Sequence, residues 1–111
     1  MKKLILIAML VLLAACSGKY DEFAKCMTEK DTTFYGAYWC PHCANQKNII
    51  GISMEHINYV ECSLPEKKGQ TQVCIEANIT TYPTWEFADG TRLKGVQQLE
   101  TLSEKTGCEL A

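Results

Sequence analysis

The chain has 111 residues, 11 basic and 13 acidic side chains and a net charge of −2, which leaves room for one domain. Past the first residues Lys67-Lys68 is the sole adjacent basic pair, so there is no cationic face and no expectation of nucleic acid as a partner. Seven cysteines in so short a chain exceed what a reducing cytosol tolerates idly, and point to an oxidising compartment with disulfides.

Met1-Lys2-Lys3 is basic, and residues 4–13 are an unbroken apolar run of ten, too short to span a bilayer. Small residues and then Cys16 follow, the layout of a secretory signal. Leu13-Ala14-Ala15-Cys16 resembles the lipobox of bacterial lipoproteins, which implies a signal peptide over 1–15, lipidation at Cys16 and a tether over 16–19. Several acyl chains anchor a domain to a membrane firmly, where one binds marginally. Loss of Lys2 and Lys3 leaves 9 basic against 13 acidic side chains, a net of −4. The remaining domain, 20–111, opens with a helical stripe at Tyr20, Phe23, Ala24 and Met27, and Cys26 lies beside it.

Residues 32–39 read as a buried strand dominated by aromatics, and a helix is expected over about 41–54, weakened by Gly51. Between them stands Trp39-Cys40-Pro41-His42-Cys43. Cys40 falls near the helix N-terminus, where unpaired N–H groups and the helix dipole favour a thiolate. A thiol of ordinary pKa near 8.5 drops to roughly 3.5–7.5 in such settings, and the thiolate is the nucleophile. Cys43 lies about one turn on and can close a small disulfide ring with Cys40, while Pro41 suits a first helical position. A second strand covers 57–62, a loop 64–69 and a short helix 70–77, which carries Cys74. Thr80-Thr81-Tyr82-Pro83-Thr84 leads into a hairpin over 84–88 and 91–94, turned by Asp89-Gly90. A last helix over 97–106 points Leu99 and Leu102 inward and ends on Gly107.

This order of elements is that of a minimal thioredoxin fold: α/β, a central four-stranded mixed sheet flanked by helices, with one extra N-terminal helix. Trp39-Cys40-Pro41-His42-Cys43 resembles the active site of the thioredoxin superfamily, Tyr82-Pro83-Thr84 its cis-proline loop, and Gly95 its glycine after the last strand. Residues 34–43, Tyr59-Val60-Glu61-Cys62-Ser63 and Tyr82-Pro83-Thr84-Trp85 are similar to one branch, the thioredoxin-like domain fused to bacterial homologues of vitamin K epoxide reductase. The resemblance implies a thiol–disulfide oxidoreductase with Cys40 as exposed nucleophile and Cys43 as buried resolving thiol. It also implies Trp39, Tyr82 and Pro83 lining the partner groove, and a structural Cys62–Cys74 disulfide. That bridge closes a thirteen-residue loop, worth about 3 kcal/mol on the loop-entropy account. Pro41-His42 between the cysteines is the pair of DsbA-type oxidases. An imidazole there stabilises the thiolate, and so favours the reduced state and a strong oxidant.

The expected partners are exported proteins with thiols or disulfides, and a membrane quinone-linked partner of the vitamin K epoxide reductase or DsbB type. The expected location is the cell envelope outside the cytoplasm, and no cofactor is needed because the exchange uses sulfur alone. Phe34 stands where reducing thioredoxins keep a buried aspartate, which weighs against efficient reductase behaviour. A reductase or isomerase remains the alternative within the class. Outside it stand a stapled, redox-inert module and a copper carrier using His42 or His56 as third ligand. Spacing denies a zinc finger, and Ala44 denies c-type haem attachment; no metal is expected. Cys26 and Cys108 either pair, tying the first helix to the C-terminus, or stay free.

Overall fold

Four short strands carry the fold in the computed structural model, which describes residues 18–110. The expected signal peptide and lipidated Cys16 lie outside the described residues. Strand β1 (Thr33–Gly36) is central: it pairs in parallel with β2 (Asn58–Glu61) and antiparallel with β3 (Thr84–Glu86), which pairs antiparallel with β4 (Arg92–Lys94). The order β2-β1-β3-β4 is the mixed four-stranded sheet expected from the sequence. Around it lie helices α1 (Asp21–Glu29), α2 (Pro41–Ile50), α3 (Gln72–Glu76) and α4 (Leu99–Thr106).

The two faces of β1 are unequal. Phe34 and Gly36 are buried, whereas Thr33 and Tyr35 are half-buried, so the strand alternates rather than being buried on both sides. On the Phe34 side a single cluster unites Phe23, Ala24 and Met27 of α1, Cys43 and Ile50 of α2, Trp85 of β3, and Leu99 and Leu102 of α4. Phe34 packs tilted on Trp85 at 4.8 Å and edge-on against Tyr59 at 5.0 Å, geometries aromatic quadrupoles favour. The opposite side holds a smaller cluster of Cys62, Cys74 and Ile79 with Tyr35 and Val60 against it. A five-residue helix and a disulfide cover less surface than three helices, which is why Tyr35 stays partly exposed.

Gln46 is the polar exception in the core, fully buried yet satisfied. Its side-chain oxygen accepts from the Trp85 indole at 3.1 Å and the Gln97 backbone N–H at 2.7 Å, and its amide donates to the Gln97 carbonyl at 3.0 Å. An unpaired donor there would cost about 1–3 kcal/mol, so the network welds α2, β3 and the approach to α4 together.

One helix stops short of its expected limit, and the last one ends on its expected glycine. Helix α2 stops at Ile50 rather than near residue 54, because Gly51 takes φ 71° and the chain continues as a 3₁₀ turn, Gly51–His56. His56 is half-buried, with Nε2 3.1 Å from Glu55 and 3.7 Å from Asp21. Gly107 ends α4 in the left-handed region, φ 75°, its N–H on the Ser103 carbonyl at 2.8 Å. That turn carries Cys108 back beneath α1, where it is bonded to Cys26, S–S 2.12 Å. The first and last helices share one face of the sheet, so the alternative of two free thiols does not hold. Lys30 Nζ reinforces the seam on the Thr106 carbonyl at 3.0 Å. Among the described residues no helix is long and apolar enough to cross a membrane.

Candidate active site

Cys40 sits just beyond the carboxyl end of the central strand, the place where open α/β sheets bind their ligands. It is the N-cap residue of α2, with φ −82° and ψ 122°, and Pro41 follows as the first helical residue, where no N–H is missed. Cys40, expected to be an exposed nucleophile, is instead buried at 7 % exposure with the Tyr82 carbonyl against its sulfur, and Cys43, one turn on, is wholly enclosed. Neither is bridged in the structure, and both are thiols. The Cys40 sulfur lies 3.8 Å from the Tyr82 carbonyl oxygen, and the Tyr82–Pro83 peptide is cis. The Pro83 carbonyl accepts from the Gly95 N–H at 2.8 Å, so the glycine after β4 fastens this loop.

Burial and the neighbouring Cys40 push the Cys43 thiol up to about 11, against the Ala37 N–H, 3.5 Å from the sulfur, and the Lys47 ammonium, which both favour its anion. The two thiols therefore differ in degree and place: one is nearly covered at the helix N-cap, the other fully enclosed and protonated. A thiol whose folded pKa lies above its unfolded value adds stability below the unfolded pKa and loses it as pH rises through the folded one. Between about pH 9 and about pH 11, the melting temperature of Cys40→Ser should fall more steeply than that of Cys40→Ser/Cys43→Ser. Parallel curves for the two variants would show that Cys43 titrates as an ordinary thiol.

Trp39 is half exposed, its ring edge-on to Tyr82 at 6.0 Å. Both rings are held by the loop that the Cys62–Cys74 disulfide closes, S–S 2.02 Å. The Trp39 indole donates to Ser63 Oγ at 2.6 Å, Lys67 Nζ lies 5.0 Å over its ring, and Gln70 donates to the Tyr82 hydroxyl at 2.9 Å. Tyr38 and Leu64 extend the apolar rim. His42 and Pro41 are exposed on the first helical turn, and His42 makes no hydrogen bond to either sulfur among the described residues.

The sequence reading assigned no role to Ser63, Gln70, Lys47, Tyr59 or Glu61. The signals were present: Lys47 is four residues after Cys43 on one helix, and Tyr59 and Glu61 alternate onto the face of β2 that opposes Phe34 and Gly36. Copper binding through His56 fails on position. His56 groups with Asp21 and Glu55, a set containing no thiol. A cavity of about 350 Å³ lined by Lys30, Thr32, Phe87 and Lys105 lies at the opposite end of β1 from Cys40 and plays no part in the site.

No family model matches the chain. It is 37% identical over 91 residues to Thiol-disulfide oxidoreductase LTO1 of Arabidopsis thaliana, an alignment covering 78% of this chain and 24% of that protein. It is 30% identical over 112 residues to Protein disulfide isomerase-like 5-1 of Oryza sativa subsp. japonica, covering 86% of this chain and 76% of that protein. The chain thus spans about a quarter of the first relative and about three quarters of the second.

Proposed function

The chain belongs to the thioredoxin-like superfamily of thiol–disulfide oxidoreductases, and from that premise we propose that it is a disulfide donor working outside the cytoplasm from a membrane anchor. In this reading Cys40 and Cys43 form the active disulfide. A thiolate of an exported protein attacks the Cys40 sulfur, and Cys43 leaves and takes up a proton. A second substrate thiolate then attacks the mixed disulfide, releasing the oxidised product and Cys40. Two electrons pass from substrate to the Cys40–Cys43 pair, and no cofactor takes part.

The observation that carries the reading is the seat of Cys40 at the N-cap of α2, ahead of Pro41-His42 and beside the cis Tyr82–Pro83 peptide. A helix N-terminus stabilises the thiolate released on reduction. A more stable reduced form makes the disulfide more oxidising. Trp39, Tyr82 and Pro83 are the groove against which the partner chain lies. The resemblance to domains fused to vitamin K epoxide reductase homologues supports a quinone-linked membrane protein as the re-oxidant, and the Leu13-Ala14-Ala15-Cys16 segment supports lipid anchorage at Cys16.

The test is the equilibrium potential of the Cys40–Cys43 couple against glutathione. A donor gives a value near that of DsbA, about −120 mV, and a value at or below about −270 mV, that of thioredoxin, overturns the proposal. The name of the rice relative supports a second reading, an isomerase. Rearrangement of a scrambled substrate faster than oxidation of a reduced one would favour it.

A further inference from the structure

Cys43 has to exchange a proton in every catalytic cycle, yet it is fully buried on the inner face of α2. Phe34, directly across on β1, is apolar and itself fully buried, and offers no acceptor. The polar groups that face Cys43 are the Ala37 N–H, Cys40 on the same turn, Lys47 one turn further along α2, and Tyr59 on β2. His42, on α2 as well, is exposed.

Gly36 leaves space that the Tyr59 ring edge and the sulfur share. A Cβ placed on Gly36 would stand 2.9 Å from Tyr59 Cε2 and 3.0 Å from Cys43 Sγ, so both side chains border a glycine that leaves no room for a methyl group. Cε2 is one ring atom from the carbon that bears the hydroxyl. That hydroxyl donates to Glu61 Oε1 at 2.8 Å, and Glu61 Oε2 accepts from the Tyr38 and Ser63 N–H groups at 3.2 and 2.9 Å. Lys47 Nζ lies 4.1 Å over the Tyr59 ring. Glu61 itself is partly open to solvent. The Tyr59 ring edge, its hydroxyl and the Glu61 carboxylate thus lead from the neighbourhood of the buried sulfur to a group partly open to water.

We infer that Tyr59 and Glu61 are the proton-handling pair of Cys43. The inference rests on the reading of Cys40–Cys43 as the active couple. When Cys43 Sγ attacks Cys40 in a mixed disulfide, a Cys43–Cys40 bond forms and the Cys40–partner bond breaks. The partner leaves as thiolate with the electron pair. The Cys43 hydrogen leaves on the side of the Tyr59–Glu61 pair, and the Glu61 carboxylate takes it up and gives it to solvent. In the reverse direction the same pair returns a proton to the departing Cys43 sulfur. Burial and the facing Glu61 carboxylate push Tyr59 far above the usual tyrosine range, so the phenol does not become an anion. Lys47 supplies the positive charge that eases the transient Cys43 anion.

Two variants separate this role from a structural one. Glu61→Gln keeps the geometry, because its amide oxygen accepts from Tyr38 and Ser63 while its NH₂ donates to Tyr59, but it holds no proton. Tyr59→Phe keeps the ring between Phe34 and Lys47 and loses the hydroxyl. Reduced protein is mixed with a symmetric aromatic disulfide whose leaving thiol is coloured. The first equivalent reports attack by Cys40, and the second reports resolution by Cys43. In the native chain the second phase should be nearly flat across neutral pH. In Glu61→Gln it should be slower by about 100-fold at pH 7, as loss of a general base costs, and should climb about tenfold per pH unit toward the raised Cys43 value. Tyr59→Phe should lose about tenfold or more. His42 is unchanged between native chain and variant. Second-phase profiles that superimpose on the native one, in variants with native melting temperatures, overturn the inference. Absence of a first phase in the native chain overturns instead the active-couple reading beneath it.

Discussion

A Cys43→Ala protein incubated with a disulfide-bearing substrate protein should accumulate as a mixed disulfide through Cys40, visible as a shifted band that dithiothreitol abolishes. Its turnover should fall by on the order of 10³-fold or more, because resolution by a thiol already in place is effectively unimolecular, and an external thiol must otherwise do it at millimolar concentration. The asymmetry of the site drives the expectation. Cys40 keeps a small exposed fraction beside the Tyr82 carbonyl, while Cys43 has none, so a partner can meet only the first sulfur. Alanine keeps the Cys43 Cβ and leaves a gap of one sulfur atom, which the neighbours Tyr59 and Phe34 survive with a small loss of stability. Cys40→Ser is the control and should capture nothing. Capture of substrate by Cys40→Ser, or wild-type turnover in Cys43→Ala, would remove the assignment of the two roles.

Much of this site was legible because its parts are local. The strand end, the N-cap cysteine, the helix-starting proline and the second cysteine one turn on all follow from five consecutive residues. The proline loop and the glycine after β4 are readable as turn chemistry. What escaped depends on register. Glu61 faces the site only because Tyr59 pairs with Phe34 and Glu61 with Gly36 across parallel strands, and nothing in either segment alone states that register. The clamp of Ser63 and Gln70 on the two aromatic rings depends likewise on how the loop between Cys62 and Cys74 folds back. The seating of the last helix turned on a single dihedral. A left-handed Gly107 was expected as a helix end, but that it delivers Cys108 to Cys26 follows from α1 and α4 sharing a face of the sheet, which helical periodicity cannot specify.

The Cys26–Cys108 bridge makes the second large prediction, on stability. It joins residues 82 apart, whereas Cys62–Cys74 joins residues 12 apart. Loop-closure entropy grows with the logarithm of loop length, so the long bridge restricts the unfolded chain more, about 4.5 kcal/mol against about 3 kcal/mol. A domain of this size has only on the order of 5–14 kcal/mol in total. Cys26→Ala/Cys108→Ala should therefore cost about 4 kcal/mol in denaturant unfolding, more than Cys62→Ala/Cys74→Ala. The two losses should also differ in kind. The long bridge fastens α1 and the C-terminus to the Phe34 face, remote from the groove, so its loss should leave the redox potential and the Cys40 reaction nearly untouched in whatever fraction stays folded. The short bridge encloses Ser63, Lys67 and Gln70, which hold Trp39 and Tyr82. Its loss should loosen Trp39, seen as a changed indole fluorescence, and slow reaction with protein substrates more than reaction with a small disulfide. Equal stability losses from the two double variants would mean that native contacts, rather than restriction of the unfolded chain, set the worth of each bridge. Equal rates on large and small substrates after loss of Cys62–Cys74 would mean that the loop does not shape the groove.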